Sequence, residues 1–274
     1  MSRANRRSDG LHGGLVLTAS NDDRLNSWLL ALEERHLANL TFSEVTRALR
    51  ALSSTYVERR HALKRGAALD SAGKRAAFAL FYGPLHLLTV RHIVAAIDAR
   101  VSGGVIVDLG CGTGTAGAGW ALEQGTDVIK VSGLDRHRVA VEEARWTYSQ
   151  LGVRGSARHG DAARTHVPAH ATAVLVAYLL NEVDDATRGR VWTTLRAAAD
   201  RGAQVLVVEP ISRALTPWWN GLAREAMAAG GRADDWRFNV TLPTIVERLD
   251  RAAGLKHREL TARSLYIPGA RAGG

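Results

Sequence analysis

The stretch Val105-Ile-Val-Asp-Leu-Gly-Cys-Gly-Thr-Gly114 decides how the rest of the chain is read. Apolar, mostly β-branched residues run into Asp108, and Gly110, Gly112 and Gly114 follow at alternate positions before a helix-length segment. A strand that feeds a glycine loop and then a helix offers free backbone N–H groups and lets a ligand lie close to the backbone. The spacing Gly112-x-Gly114-x-x-Gly117 also satisfies the dinucleotide fingerprint. However, a carboxylate just ahead of the loop repels a pyrophosphate. Asp108 therefore turns the reading toward a ligand that is cationic at this end.

Working outward, the chain changes character at Ser102-Gly103-Gly104. Beyond it, short apolar runs alternate with helix-length stretches: Val105–Leu109, Lys130–Leu134, Gly155–His159, Ala173–Tyr178 and Gln204–Glu209. Strands separated by helices imply a parallel sheet with right-handed crossovers. Pro243–Ala253 reads as a helix stopped by Gly254, with Leu255–Leu260 and Arg263–Ile267 as a final pair of strands. The expected fold is α/β: a doubly wound, mostly parallel, seven-stranded Rossmann-like sheet.

Upstream the periodicity is helical. Leu25, Trp28, Leu29 and Leu32 form one apolar stripe, and Thr41-Phe-Ser-Glu44 is a capping box for a helix over Thr41–Leu52. Further helices are expected at Tyr56–Leu63 and Leu85–Ile97, the latter begun by Pro84. The expected organisation is a flexible leader over residues 1–20, a helical N-terminal lobe over 21–100 and a cofactor-binding domain over 101–274.

Composition narrows the function classes. The 274 residues are 46% hydrophobic and 23% charged, ordinary for a globular protein. One cysteine, Cys111, excludes an internal disulfide, a Cys-based zinc or iron–sulfur site and a CxxC pair, and no metal site is expected. The longest strongly apolar run, Ala171–Leu180, is about half the ~20 residues of a membrane span. A soluble, cytoplasmic protein with no membrane partner is expected. The formal charge is +9, and Arg47, Arg50, Arg59, Arg60, Lys64 and Arg65 concentrate it in the N-terminal lobe. Such a cluster suits a polyanion, although charge runs are also commonly solvated helix faces.

The run Asp108-Leu-Gly-Cys-Gly-Thr-Gly114 resembles the first motif of class I S-adenosylmethionine (SAM)-dependent methyltransferases. The resemblance implies SAM as cofactor, with its cationic aminopropyl end near Asp108 and its backbone approach over Gly110, Cys111, Gly112 and Gly114. Asp135, 27 residues after Asp108, stands where the family's acidic residue accepts bonds from the ribose hydroxyls, with Arg136 beside it. It also suits a cap for the following helix. Asp161, with Ala162, stands where the family contacts the adenine amino group, and it too can be a simple cap. Cys111 reads as a small apolar residue, and Tyr82 as a residue able to close over the methionine end.

The acceptor side is less defined. Ala177-Tyr-Leu-Leu-Asn-Glu-Val-Asp184 lacks the prolines of the N-methyltransferase motif, which argues against adenine-N6 or glutamine-N5 methylation. The missing cysteine after the fourth or fifth strand excludes pyrimidine-C5 chemistry. Direct SN2 transfer remains, with Tyr178, Asn181 and Glu182 as candidate catalytic residues. Asn181 is also a possible helix cap, and Glu182 a possible solvent-facing group. Of Trp218-Trp219, one is expected to pack and the other to meet substrate; His86 and His92 read as packing or surface residues. Val176–Val183, Val207-Val-Glu-Pro210 and Arg224 more loosely resemble the Rsm22-like family of the small ribosomal subunit. That resemblance favours rRNA or a ribosomal target, reached through the basic lobe. Gly230–Phe238 lacks that family's cysteines. The alternatives are a small-molecule N- or O-methyltransferase and a SAM-binding assembly factor without turnover.

Overall fold

The structure is a computed structural model describing residues 19–58, 69–101, 103–124, 129–257 and 259–269. The expected leader lies outside these residues, apart from the two that begin the first helix. The helices of the N-terminal region are α1 (Ala19–Leu37), α2 (Phe42–Glu58), α3 (Ala72–Ala77) and α4 (Gly83–Ala96), with a π-helical segment at Phe78–Tyr82 between the last two. The capping box forms: Thr41 N donates to Glu44 Oε2 at 2.8 Å, and Glu44 N donates to Thr41 Oγ1 at 3.3 Å. The separate helix expected at Tyr56–Leu63 is instead the end of α2 as far as Glu58, and residues 59–68 lie outside the described set.

Pro84 does not begin a helix. Residues Ala72–Ala96 are continuously helical, and the π segment ends just before the proline. Proline has no N–H to give the carbonyl four residues back, and the ladder loosens there. Gly83 N donates instead to the Phe78 carbonyl, an i→i−5 bond. This stretch is long and apolar enough to cross a membrane by length and composition, and it lies mostly buried inside the protein.

The sheet contains β1 (Gly104–Leu109), β2 (Ile129–Asp135), β3 (Gly155–His159), β4 (Ala171–Ala177), β5 (Gln204–Glu209), β6 (Arg232–Phe238) and β7 (Leu260–Ile267). Their order is β3-β2-β1-β4-β5-β7-β6. The first five strands are parallel, and β7 runs antiparallel between β5 and β6. The C-terminal expectation is corrected here. Leu260–Ile267 is one strand, and its hairpin-like partner is Arg232–Phe238, where no strand was expected. Helices α5 (Thr115–Glu123), α6 (Arg138–Gln150), α7 (Asp185–Asp200), α8 (Trp219–Ala228) and α9 (Thr244–Ala253) cover the two faces. The central strands β4 and β5 are buried on both sides and are accordingly almost wholly apolar. Strand order reverses between β1 and β4, and the crevice beyond their carboxyl ends is where a doubly wound sheet binds ligands.

The N-terminal helices share a core with the sheet. Trp28, Leu32, Leu49, Leu80 and Phe81 belong to the same buried cluster as Ile106 and Val131. Helix α4 lies directly on α5, so closely that a Cβ on Gly119 would stand 2.8 Å from the Leu87 carbonyl oxygen. At this contact Arg91 of α4, 1% exposed, donates from Nε to Glu123 Oε1 of α5 at 2.6 Å.

Candidate active site

The crevice beyond β1 and β4 holds a cavity of about 590 Å³, walled by the domain's loops and by the π segment and α4. Its first wall is the glycine loop. Gly110 N and Cys111 N both donate to the Leu134 carbonyl, at 2.8 and 3.0 Å, which ties the loop to the end of β2. Asp135 completes the tie: Oδ2 accepts from Gly112 N at 2.9 Å and Oδ1 from His137 N at 2.8 Å. Gly112 has φ +52° and lines the cavity; a Cβ there would meet only Phe78 Cε1, at 3.8 Å. Cys111 also lines the cavity, and burial pushes its thiol well up, so it is a protonated, inert side chain.

Asp108 is placed differently from the sequence expectation. It is fully buried and is not among the residues lining the cavity. Its Oδ2 accepts from Gly117 N at 3.1 Å, satisfying an amide of the first turn of α5, and burial pushes its pKa up to about 7. Gly117 is forced by this contact, since a Cβ would lie 2.7 Å from Asp108 Oδ2 and 2.9 Å from Val131 Cγ1. The formal dinucleotide fingerprint thus owes its last glycine to strand–helix packing. Gly114 likewise stands behind the wall, where a Cβ would press on Tyr148 and Ala144 of α6.

The other expected cofactor residues gather at the cavity. Arg136, Asp161, Ala162 and Tyr82 all line it. Asp161 Oδ1 also accepts from Ala163 N at 2.9 Å, capping the short turn Ala162–Arg164 while the residue borders the cavity.

Tyr178, Asn181 and Glu182 also line the cavity. Tyr178 sits in the left-handed region, φ +56°, a conformation that costs a non-glycine residue about 1–3 kcal/mol. The surroundings fix it there. Its N–H donates to the Val208 carbonyl at 2.8 Å, and its ring stacks on His86 at 4.0 Å and 15°. With its amide nitrogen turned toward the acceptors, Asn181 donates to the Tyr178 carbonyl at 3.1 Å and to Glu209 Oε2 at 2.8 Å. Glu209 Oε1 accepts from Leu180 N at 2.7 Å. Burial pushes Glu209 up to about 8 and His86 down to about 3, so the imidazole in the stack is neutral. Asn181 thus holds the bend after β4.

Sequence reasoning missed Glu209, His86 and Phe78. An acidic residue at the carboxyl end of a strand, as Asp108 and Asp135 are, was the available signal for Glu209. His86 joins Tyr178 only through the fold. Trp219 is buried under Arg263, and Trp218 packs beneath Arg188 at 4.6 Å; neither lines the cavity, and the wall there comes from Pro210, Ile211, Ser212 and Leu215.

These residues fit SAM. The loop at Gly112 leaves room against the backbone, two acidic residues border the cavity beyond β2 and β3, and Phe78, Tyr82, His86 and Tyr178 contribute rings to its wall. When bound there, SAM supplies an electrophilic methyl group on a sulfonium centre. Asp135→Ala is expected to weaken SAM binding about ten- to a hundredfold, the roughly 1.5–3 kcal/mol of hydrogen bonds to a charged group. Calorimetry on the folded variant checks this, and an unchanged Kd reduces Asp135 to its two backbone contacts.

Residues 106–208, from β1 to β5, match the family model of a methyltransferase domain. No curated protein matches the chain significantly. Among solved structures, a mitomycin 7-O-methyltransferase is similar at 17% identity and TM-score 0.51, over 92% of this chain and 76% of that one. A SAM-dependent methyltransferase from Aquifex aeolicus aligns at 15% identity and TM-score 0.46, over 67% and 91%. A glycopeptide N-methyltransferase aligns at 15% and 0.42, over 67% and 90%. Fold and site together define a class I methyltransferase architecture. Residues 106–208 are thus a methyltransferase domain, and the cavity beside its glycine loop fits SAM as a methyl donor.

Proposed function

We propose that the methyl acceptor is a small, planar, uncharged aromatic compound. The observation that carries this reading is the acceptor wall: Phe78, Tyr82, His86 and Tyr178 form a connected set of rings, with neighbouring centroids 4.0–6.2 Å apart. Such a surface favours flat apolar ligands through offset and edge contacts. The four rings are also neutral, since burial keeps His86 uncharged and pushes the Tyr82 hydroxyl up to about 12. Arg136, at the end of β2, is the single lysine or arginine among the described residues that line the cavity. The volume, about 590 Å³, is within the roughly 300–1,000 Å³ of small-ligand sites. The mitomycin 7-O-methyltransferase, which covers the helical region as well, acts on a small molecule by its name.

The second reading is the ribosomal one, favoured by the charge of +9 and by the Rsm22-like motifs. Of its six cations, Arg47 and Arg50 are exposed on α2, and Arg50 donates to the Ala252 carbonyl. Arg59, Arg60, Lys64 and Arg65 lie outside the described residues. One paired experiment separates the readings: methyl transfer from labelled SAM to simple phenols and arylamines, beside naked rRNA and 30S particles. The small-molecule reading expects label on an aromatic compound, loss of turnover in Tyr178→Ala and no effect of Arg59→Ala/Arg60→Ala. Label on RNA alone, with an affinity that falls steeply with salt and is weakened by the arginine pair, would reverse the choice.

A further inference from the structure

We propose that His257, oriented by Asp250, is the general base that takes the proton from the acceptor's hydroxyl group. Asp250 lies in the last turns of α9 and is 6% exposed. Both of its oxygens serve one residue. Oδ2 accepts from the His257 backbone N at 2.9 Å, and Oδ1 lies 2.5 Å from the His257 ring Nδ1. The amide contact fixes where the residue sits, and the ring contact fixes which way it faces. A carboxylate can only accept, so Nδ1 carries a hydrogen, and in the neutral ring the lone pair is on Nε2. The ring borders the cavity, and among the described residues nothing bonds Nε2. Phe81 stands edge-on to His257 at 5.5 Å and touches Tyr82 at 5.3 Å, which joins His257 to the acceptor wall.

A base held by a hydrogen bond from an orienting carboxylate is the arrangement general-base catalysis requires. Three other titratable groups of the cavity are engaged elsewhere. His86 and Tyr178 are half-buried and stacked on each other, and Glu259 pairs with Arg237 at 2.8 Å. The inference rests on the small-molecule reading and makes the acceptor a phenol-like hydroxyl compound. In the step, the hydroxyl proton passes to His257 Nε2, and Asp250 stabilises the imidazolium. The oxygen's electron pair forms the new O–CH3 bond, while the pair of the breaking C–S bond stays on sulfur. The proton then leaves to water.

The test has two readouts. In the protein without SAM, long-range 15N spectra at pH 8, assigned through His257→Asn, are expected to show His257 as the Nδ1–H tautomer. Asp250→Asn should shift it toward Nε2–H. With simple phenols and SAM, His257→Asn is expected to lower kcat about 10²–10⁴-fold, with SAM affinity unchanged and partial rescue by added imidazole. A dominant Nε2–H tautomer in the parent protein, or a His257→Asn variant with parental kcat, overturns the assignment. Loss of SAM binding in that variant overturns it as well, because the residue would then belong to the cofactor site. If the parent protein methylates RNA alone, the small-molecule reading fails separately, and the tautomer decides the base.

Discussion

Gly112→Val is expected to fold and to lose SAM, with Kd raised by about a hundredfold or more, roughly 2.7 kcal/mol. The space around Gly112 makes this substitution informative. A Cβ there meets nothing nearer than Phe78 Cε1 at 3.8 Å, so the added side chain disturbs no packed neighbour and occupies the cavity. Its folding penalty comes from the positive φ, about 1–3 kcal/mol. Gly114 is the contrast, because a Cβ there would lie 3.0 Å from the Ala144 backbone. Gly114→Ala should therefore show its cost in thermal stability rather than in affinity. Isothermal calorimetry together with thermal unfolding separates the two effects, and parental SAM affinity in folded Gly112→Val would remove the loop from the cofactor site.

Glu123→Ala carries the largest expected stability effect. It strands the Arg91 guanidinium, 1% exposed, between α4 and α5. Breaking a buried pair from one side costs about 3–5 kcal/mol, whereas replacing both partners by apolar residues is often neutral. For a chain of this size the single change corresponds to a fall in Tm of very roughly 6–15 °C. Arg91→Leu/Glu123→Leu should recover most of that loss. A single variant as stable as the parent in denaturant titrations would show that water reaches Arg91.

What the sequence disclosed was local. The strand running into Asp108, the glycine loop after it and the strand ending at Asp135 follow from patterns a few residues long, and each element forms where expected. Strand β6 escaped because Arg232-Ala-Asp-Asp-Trp-Arg-Phe238 is an edge strand whose charges are answered across the ladder, as Asp235 is by Arg263. Its alternation is faint without the partner. The stack of His86 on Tyr178, the hold of Glu209 on the bend after β4 and the approach of His257 to the cavity each join residues from separate elements. No spacing along the chain encodes them. Asp108 misled for a related reason, since a carboxylate at a strand end can serve the ligand or the helix behind it, and here it serves the helix.

The π segment before Pro84 sets which side chains reach the cavity. A helix that carries a five-residue bond where a four-residue bond is usual has accommodated one residue too many, and a residue corresponds to about 100° of rotation. Phe78 and Tyr82 lie on the segment and His86 lies beyond it, yet all three face one cavity. Shortening the segment by a single position would leave the chain helical and the core filled while turning one part of this face away from the other. The shape of the cavity is thus tied to a count of residues as much as to their identity, and an inserted or deleted codon between 78 and 82 would reshape it more than most substitutions within it.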